Sequence, residues 1–188
     1  MKKILFSAVL ACSLFGGELV YSGVVKPVFL DANTDKSVGR LLPTNGVEIV
    51  GVEGNRAKIL VKGYQNPASP NVIYYHSSER VIAVAFAKTA TPDIKLIKKG
   101  ENGKWDEVET ILYAQNDGFT KDLKSLFTKA KTMYADSCGV CHKLHDENHY
   151  KANQWPSLFK SMLSRTAIQK EDEWLVTQYL QKHSSDVK

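Results

Sequence analysis

A chain of 188 residues is long enough for one ordinary domain or two small ones. Its 43% hydrophobic and 24% charged residues have the balance of a soluble globular protein. The net charge of +5 comes from lysines and arginines interspersed with acids, so no basic block marks a nucleic-acid partner.

The first segment, MKKILFSAVLACSLFGG, opens on Lys2 and Lys3 and continues as a mostly apolar run from Ile4 to Phe15. Crossing a bilayer takes about 20 apolar residues, so the run is too short to span one and reads as a secretory leader. Val20 and Ser22 supply small residues at the −3 and −1 positions, which predicts a leader over residues 1–22. Cys12 after Val9-Leu10-Ala11 raises a lipid tether, although Leu10 departs from that pattern. The leader predicts an exported, periplasmic chain. No later segment is apolar enough to span a membrane.

Residues 23–117 read as a β module. GVEIVGVEGNRAKILVKGY holds two β-branched runs around a Glu53-Gly54-Asn55 turn, and Asn102-Gly103 marks a second hairpin. Arg80–Ala87 is a buried-strand candidate, and the turn spacing suggests a small barrel or sandwich. The module holds one histidine, His76, and no convergent catalytic set. After the linker-like QNDGF the period changes, and residues 118–188 read as helical. Leu123, Phe127, Ala130 and Tyr134 share one helix face, with Thr120 placed to cap it. Pro156 opens a second helix carrying Leu158, Phe159, Met162 and Leu163, and a third runs from about Lys170 to His183.

Between the first two helices lies Cys138-Gly139-Val140-Cys141-His142, the attachment pattern of a c-type haem. Two residues between the thiols let both reach the vinyl groups on one porphyrin edge, and His142 is carried under the iron as the proximal ligand. A zinc site is the rival, since Cys138, Cys141, His145 and His149 formally supply four ligands. The gap from Cys141 to His145 is far below the dozen or so residues of ordinary fingers. A thiol-redox reading needs the pair at a strand-to-helix turn, and here a helix comes first. With Cys12 in the leader, only Cys138 and Cys141 remain, and so short a loop gains little from a disulfide.

Candidates for the distal iron ligand are Met133, His145, His149, Met162 and His183. Met133 precedes the motif on its helix, His145 lies one turn from His142, and His183 ends the last helix. Met162, on a separate helix, is placed to cross the opposite haem face, and its soft thioether suits the iron. His149 is the substitute if the intervening loop is tight.

CGVCH followed by YKANQWPSLFKSM, then a helix ending YLQKHSSD, resembles the C-terminal monohaem domain of the pentahaem cytochrome of trimethylamine-N-oxide respiration. The likeness is clearest from about Ala135 to Asp186. The strand pair LLPTNGVEIVGVEGNRAKILVKGY is similar, more generically, to a bacterial SH3-type barrel. The resemblance implies an α+β chain, in which a small SH3-like β-barrel precedes a three-helix c-type cytochrome domain. It also implies one covalent haem c and an electron carrier rather than an enzyme. The acceptor would be a periplasmic molybdenum-containing N-oxide or S-oxide reductase, and the donor a quinol-oxidising cytochrome or complex. Contact with the membrane would come only through that donor or a tether at Cys12. Two rival functions are a haem-based small-ligand sensor or peroxidase, and a zinc-binding interaction module.

Overall fold

A computed structural model describes residues 17–140 and 143–187. Cys141 and His142 lie outside the described residues, as does the leader up to position 16. No described helix is long and apolar enough to cross a membrane.

Ten strands form one antiparallel sheet. They are β1 (Glu18–Ser22), β2 (Lys26–Val28), β3 (Gly39–Leu41), β4 (Val47–Glu53) and β5 (Arg56–Gln65). The remainder are β6 (Val72–Tyr74), β7 (Ile82–Phe86), β8 (Ile94–Lys98), β9 (Asp106–Gln115) and β10 (Phe119–Thr120). The order is β10-β1-β4-β5-β6-β7-β3-β2, and β9, with β8 on its outer side, pairs along the whole of β5. The sheet curls until its ends meet: Phe29 and Tyr113 exchange both backbone hydrogen bonds, each 2.9 Å.

The long pair β5–β9 shows why these residues make strands. Side chains alternate between faces with a period of two, so Ala57, Ile59 and Val61 point inward opposite Ala114, Leu112 and Thr110. Ile59 and Leu112 are fully buried, each worth about 1.5–3 kcal/mol of apolar transfer. Gly63 marks where β6 abuts β5, because a Cβ there would lie 2.5 Å from the Tyr74 carbonyl oxygen. Both hairpin signals are realised: Gly54 has φ +59°, and Asn102 and Gly103 have φ +54° and +81°.

Three short helices follow: α1 (Leu123–Cys138), α2 (Trp155–Leu163) and α3 (Glu173–Lys182), the last entered through a 3₁₀ turn at Lys170–Asp172. Asp122, rather than Thr120, caps α1, its carboxylate accepting from the Ser125 amide at 2.9 Å.

The fold differs from the expected α+β arrangement of a small SH3-like barrel followed by a three-helix cytochrome domain. The chain is mostly β, a ten-stranded curled sheet with three short helices laid on it. The physical reason lies in α3. Every residue from Leu175 to Gln181 is buried, which a helix in a small bundle with one solvent face does not show. Leu175, Val176, Tyr179 and Leu180 pack with the helices, while the polar side chains meet the sheet. Gln178 accepts from Asn45 at 3.2 Å and donates to the Ile82 carbonyl at 3.0 Å. Lys182 donates to the Thr44 carbonyl at 2.8 Å and Asn45 Oδ1 at 3.0 Å. Its half-buried stem ends in an ammonium set over the Tyr75 ring, and this enclosure holds its pKa well below the usual 10.5. Asn153 extends the same seam, accepting from the Arg80 amide at 2.8 Å.

The QNDGF segment is also tied down. Lys26 donates to the carbonyls of Gln115 and Asp117 at 3.2 and 2.5 Å, and Phe119–Thr120 pairs with β1.

Candidate functional site

The helices wall a cleft of about 450 Å³. Helix α1 brings Tyr134, Ser137 and Cys138 to one side, and α2 brings Trp155, Leu158, Phe159 and Met162 to the other. Leu144, His145 and Tyr150, from the loop after the cysteine motif, close the third side. Arg165, just past α2, is the one charged side chain of the lining among the described residues. Such a surface, apolar and aromatic with one cation at the edge, suits a flat apolar group that bears carboxylates.

Cys138 is the last residue of α1. The Gly139 amide donates to the Ala135 carbonyl at 3.0 Å, and a Cβ at Gly139 would lie 2.8 Å from that oxygen. Glycine after Cys138 therefore lets this last helical bond close without a side chain crowding the Ala135 oxygen.

The loop over residues 143–150 is held by buried aromatic side chains of the helices. Tyr134 donates its hydroxyl to the His145 carbonyl at 3.0 Å, and Trp155 Nε1 donates to the Glu147 carbonyl at 3.0 Å. Tyr179 donates to the Glu147 carboxylate. Burial would raise the Glu147 pKa, but the Tyr179 hydroxyl, a backbone amide and Lys131 outweigh it and hold the carboxyl below its usual 4.5. Burial, more than any neighbouring charge, raises the Tyr134 and Tyr179 phenols well above the usual 10. Both remain neutral donors at neutral pH. Their signal in the sequence is only that Tyr and Trp, when buried, usually find a hydrogen-bond partner.

The predicted site residues fall as follows. Cys138 and Met162 line the same cleft, and Met162 is 41% exposed at its mouth. His145 lines it too, while His149 stacks on His145 with ring centroids 4.6 Å apart and an interplanar angle of 20°. Met133 packs partly buried in the helical core. His183 sits against Phe127 and Tyr179, at 4.8 and 4.4 Å, and lines a second cleft between sheet and helices. Among the described residues no three histidine, cysteine, aspartate or glutamate side chains cluster as a metal site.

Comparison with known proteins adds the ancestry. The family of the TorC third cytochrome c domain matches residues 16–119. The match falls on the sheet, not on the cysteine motif, whereas the sequence reading found its clearer likeness over residues 135–186. A cytochrome c-type protein TorC of Escherichia coli O157:H7 is 23% identical over 175 residues, covering 90% of this chain and 45% of that protein. A cytochrome c-type protein TorY of Haemophilus influenzae is 24% identical over 186 residues, covering 96% of this chain and 50% of its own. A TorY of Escherichia coli O157:H7 is 28% identical over 153 residues, 77% of this chain and 40% of the relative. The chain thus spans about half the length of the curated relatives it matches. No solved structure matches it.

Proposed function

The chain belongs to the TorC third cytochrome c domain family, and from that premise we propose that it is a periplasmic c-type cytochrome carrying single electrons in anaerobic respiration. Cys138 and Cys141 would hold one haem through thioethers, and His142 and Met162 would ligate its iron. The haem, when bound, supplies reversible one-electron exchange at its iron. The rest is the work of the chain. Tyr150, Trp155 and Phe159 wall the cleft against water, and Arg165 offsets carboxylates at its edge. Tyr134 and Trp155 tie down the loop over residues 143–150 through the His145 and Glu147 carbonyls.

One observation carries this reading: Cys138 and Met162, on different helices, line one aromatic-walled cleft of about 450 Å³. A thioether ligand raises the potential relative to two imidazoles, which suits a carrier placed late in an electron-transfer chain.

Electrons arrive from a quinol-oxidising cytochrome or complex and leave to a molybdenum-containing N-oxide or S-oxide reductase. Support for this acceptor is the resemblance of residues 135–186 to the terminal domain of the trimethylamine-N-oxide cytochrome. The sheet, which holds no cysteine and carries the family match, serves as the docking surface for these partners.

Met162→Ala tests the ligand set. The oxidised variant is expected to lose the sulfur-to-iron charge-transfer band, and its potential to fall. An unchanged spectrum would move the assignment to His149. Mixing reduced protein with a molybdenum N-oxide reductase and trimethylamine N-oxide tests the acceptor, with reoxidation expected only when both are present.

A further inference from the structure

We propose that the second cleft, between the sheet and the helices, binds a small monocarboxylate with a flat apolar body, an aromatic acid in its simplest form. The ligand's charge faces the Lys182 ammonium and its body the aromatic wall. This cleft has a volume of about 410 Å³ and shares no lining residue with the haem cleft. The two sites therefore stand or fall separately.

The lining includes a cation with no counter-ion. Lys182, the last residue of α3, donates to the Thr44 carbonyl at 2.8 Å and to Asn45 Oδ1 at 3.0 Å. The Tyr75 ring centroid lies 4.1 Å from its nitrogen. All three neighbours are neutral, and among the described residues no carboxylate pairs with Lys182. Taking a cation out of water is costly unless hydrogen bonds and an opposite charge replace the solvent. Here the hydrogen bonds are supplied and the opposite charge is not. Burial accordingly holds the amine well below its usual 10.5.

A second group on the same lining lacks a partner. Thr44 is 1% exposed, and its hydroxyl makes no hydrogen bond among the described residues. The residue is also held at φ +61°, a costly conformation for a β-branched side chain that persists only where the surroundings fix it. A carboxylate has two oxygens, one for the ammonium and one for this hydroxyl.

The rest of the lining narrows the ligand class. Tyr21 of β1, Tyr64 of β5, Tyr75 just past β6 and Phe127 of α1 all reach the cleft. Their rings suit a flat apolar body. Gly46 lets the wall lie close, because a Cβ there would sit 3.1 Å from Leu19 Cδ1 and 3.2 Å from Tyr21 Cε1. Glu107 lines the cleft as well but does not offset Lys182. It disfavours a second carboxylate on the ligand, which makes the class a monoanion. Lys62, the other lysine of the lining, is already paired with Glu48 at 2.8 Å.

Titration of the exported protein with benzoate, followed by calorimetry and visible absorption, tests the site. One saturable site per chain with an unchanged haem spectrum is expected, and Lys182→Met should weaken it by roughly 10-fold or more. Absence of saturable binding would overturn the proposal. So would a changed haem spectrum, or undiminished binding to a Lys182→Met protein that unfolds at the parent's midpoint. Displacement of benzoate by equimolar chloride or phosphate would mean an adventitious ion only, and would overturn it too. Because Lys182 also anchors α3, Glu107→Gln supplies a gain that misfolding cannot imitate. Its affinity for terephthalate, a dicarboxylate, should rise several-fold while that for benzoate holds. No such gain would overturn the monoanion class.

Discussion

The sheet and the helical cluster meet the same packing demand with different materials. In the sheet, Leu41, Ile59, Ile73 and Leu112 are fully buried aliphatic side chains that close on one another. Around the helices, Tyr134, Trp155, Phe159 and Tyr179 do the burying, and three of them also tie down the loop after the cysteine motif. Between them stands a wide cleft. Native interiors are packed close to crystal density, and a haem bound as proposed would fill this cleft. The lesson is a division of dependence: the sheet closes on its own aliphatic core, the helices lean on the sheet, and on the proposed function they would lean on the haem as well.

That asymmetry is open to direct attack. The largest effect is expected from Cys138→Ser combined with Cys141→Ser, which prevents haem attachment. Amide exchange across residues 123–182 should quicken by roughly 100-fold or more, while the β5 and β9 amides keep their protection. Equal loss in both regions would mean that the two are one cooperative unit. Truncating Leu112 to Ala in the haem-loaded protein works in the opposite direction. It should cost about 2–5 kcal/mol and lower the unfolding midpoints of sheet and helices together, because α3 rests on the sheet through Gln178 and Lys182. A helical signal that outlasts the sheet would contradict the dependence.

A smaller effect, confined to the cluster, is expected from Tyr179→Phe. Loss of a hydrogen bond to a charged group should cost about 1.5–3 kcal/mol at neutral pH. The sign with pH follows from Glu147, whose carboxyl lies below its usual 4.5 in the folded protein. Its contribution is present above that usual value and is lost as pH falls through the lower native one. The gap between variant and parent in thermal midpoint should therefore narrow on acidification below about pH 4.5. A gap that stays constant with pH would show that Tyr179 acts through packing alone.

Legibility in the sequence followed the range of the interactions. The turns at Gly54 and Asn102-Gly103, the face of α1 and the start of α2 at Pro156 were readable because each depends on neighbours a few residues away. Strands of two or three residues such as β2, β3, β6 and β10 carry no period to read, and the closure of Phe29 on Tyr113 spans most of the sheet. Gln178 and Gln181 look like solvent-facing residues of a helix. They are buried because their amides satisfy backbone carbonyls at Ile82 and Ala152, which no local pattern reveals. That is why a separate helical domain was expected and a helix set into the seam was found. At the site, the two-residue spacing to Cys141 marked Cys138, and a place on a separate helix beyond the motif, with a soft thioether, singled out Met162. The loop ties from Tyr134, Trp155 and Tyr179 were hidden among ordinary core aromatics.

The account's central claim is that the cleft walled by α1 and α2 holds one covalently attached haem. Proteolysis of the exported protein, with mass analysis of the peptide that spans Cys138 to His142, tests it most directly. One haem joined through both cysteine sulfurs is the predicted result. Unmodified thiols on a protein that lacks haem absorbance and retains stoichiometric zinc would contradict it.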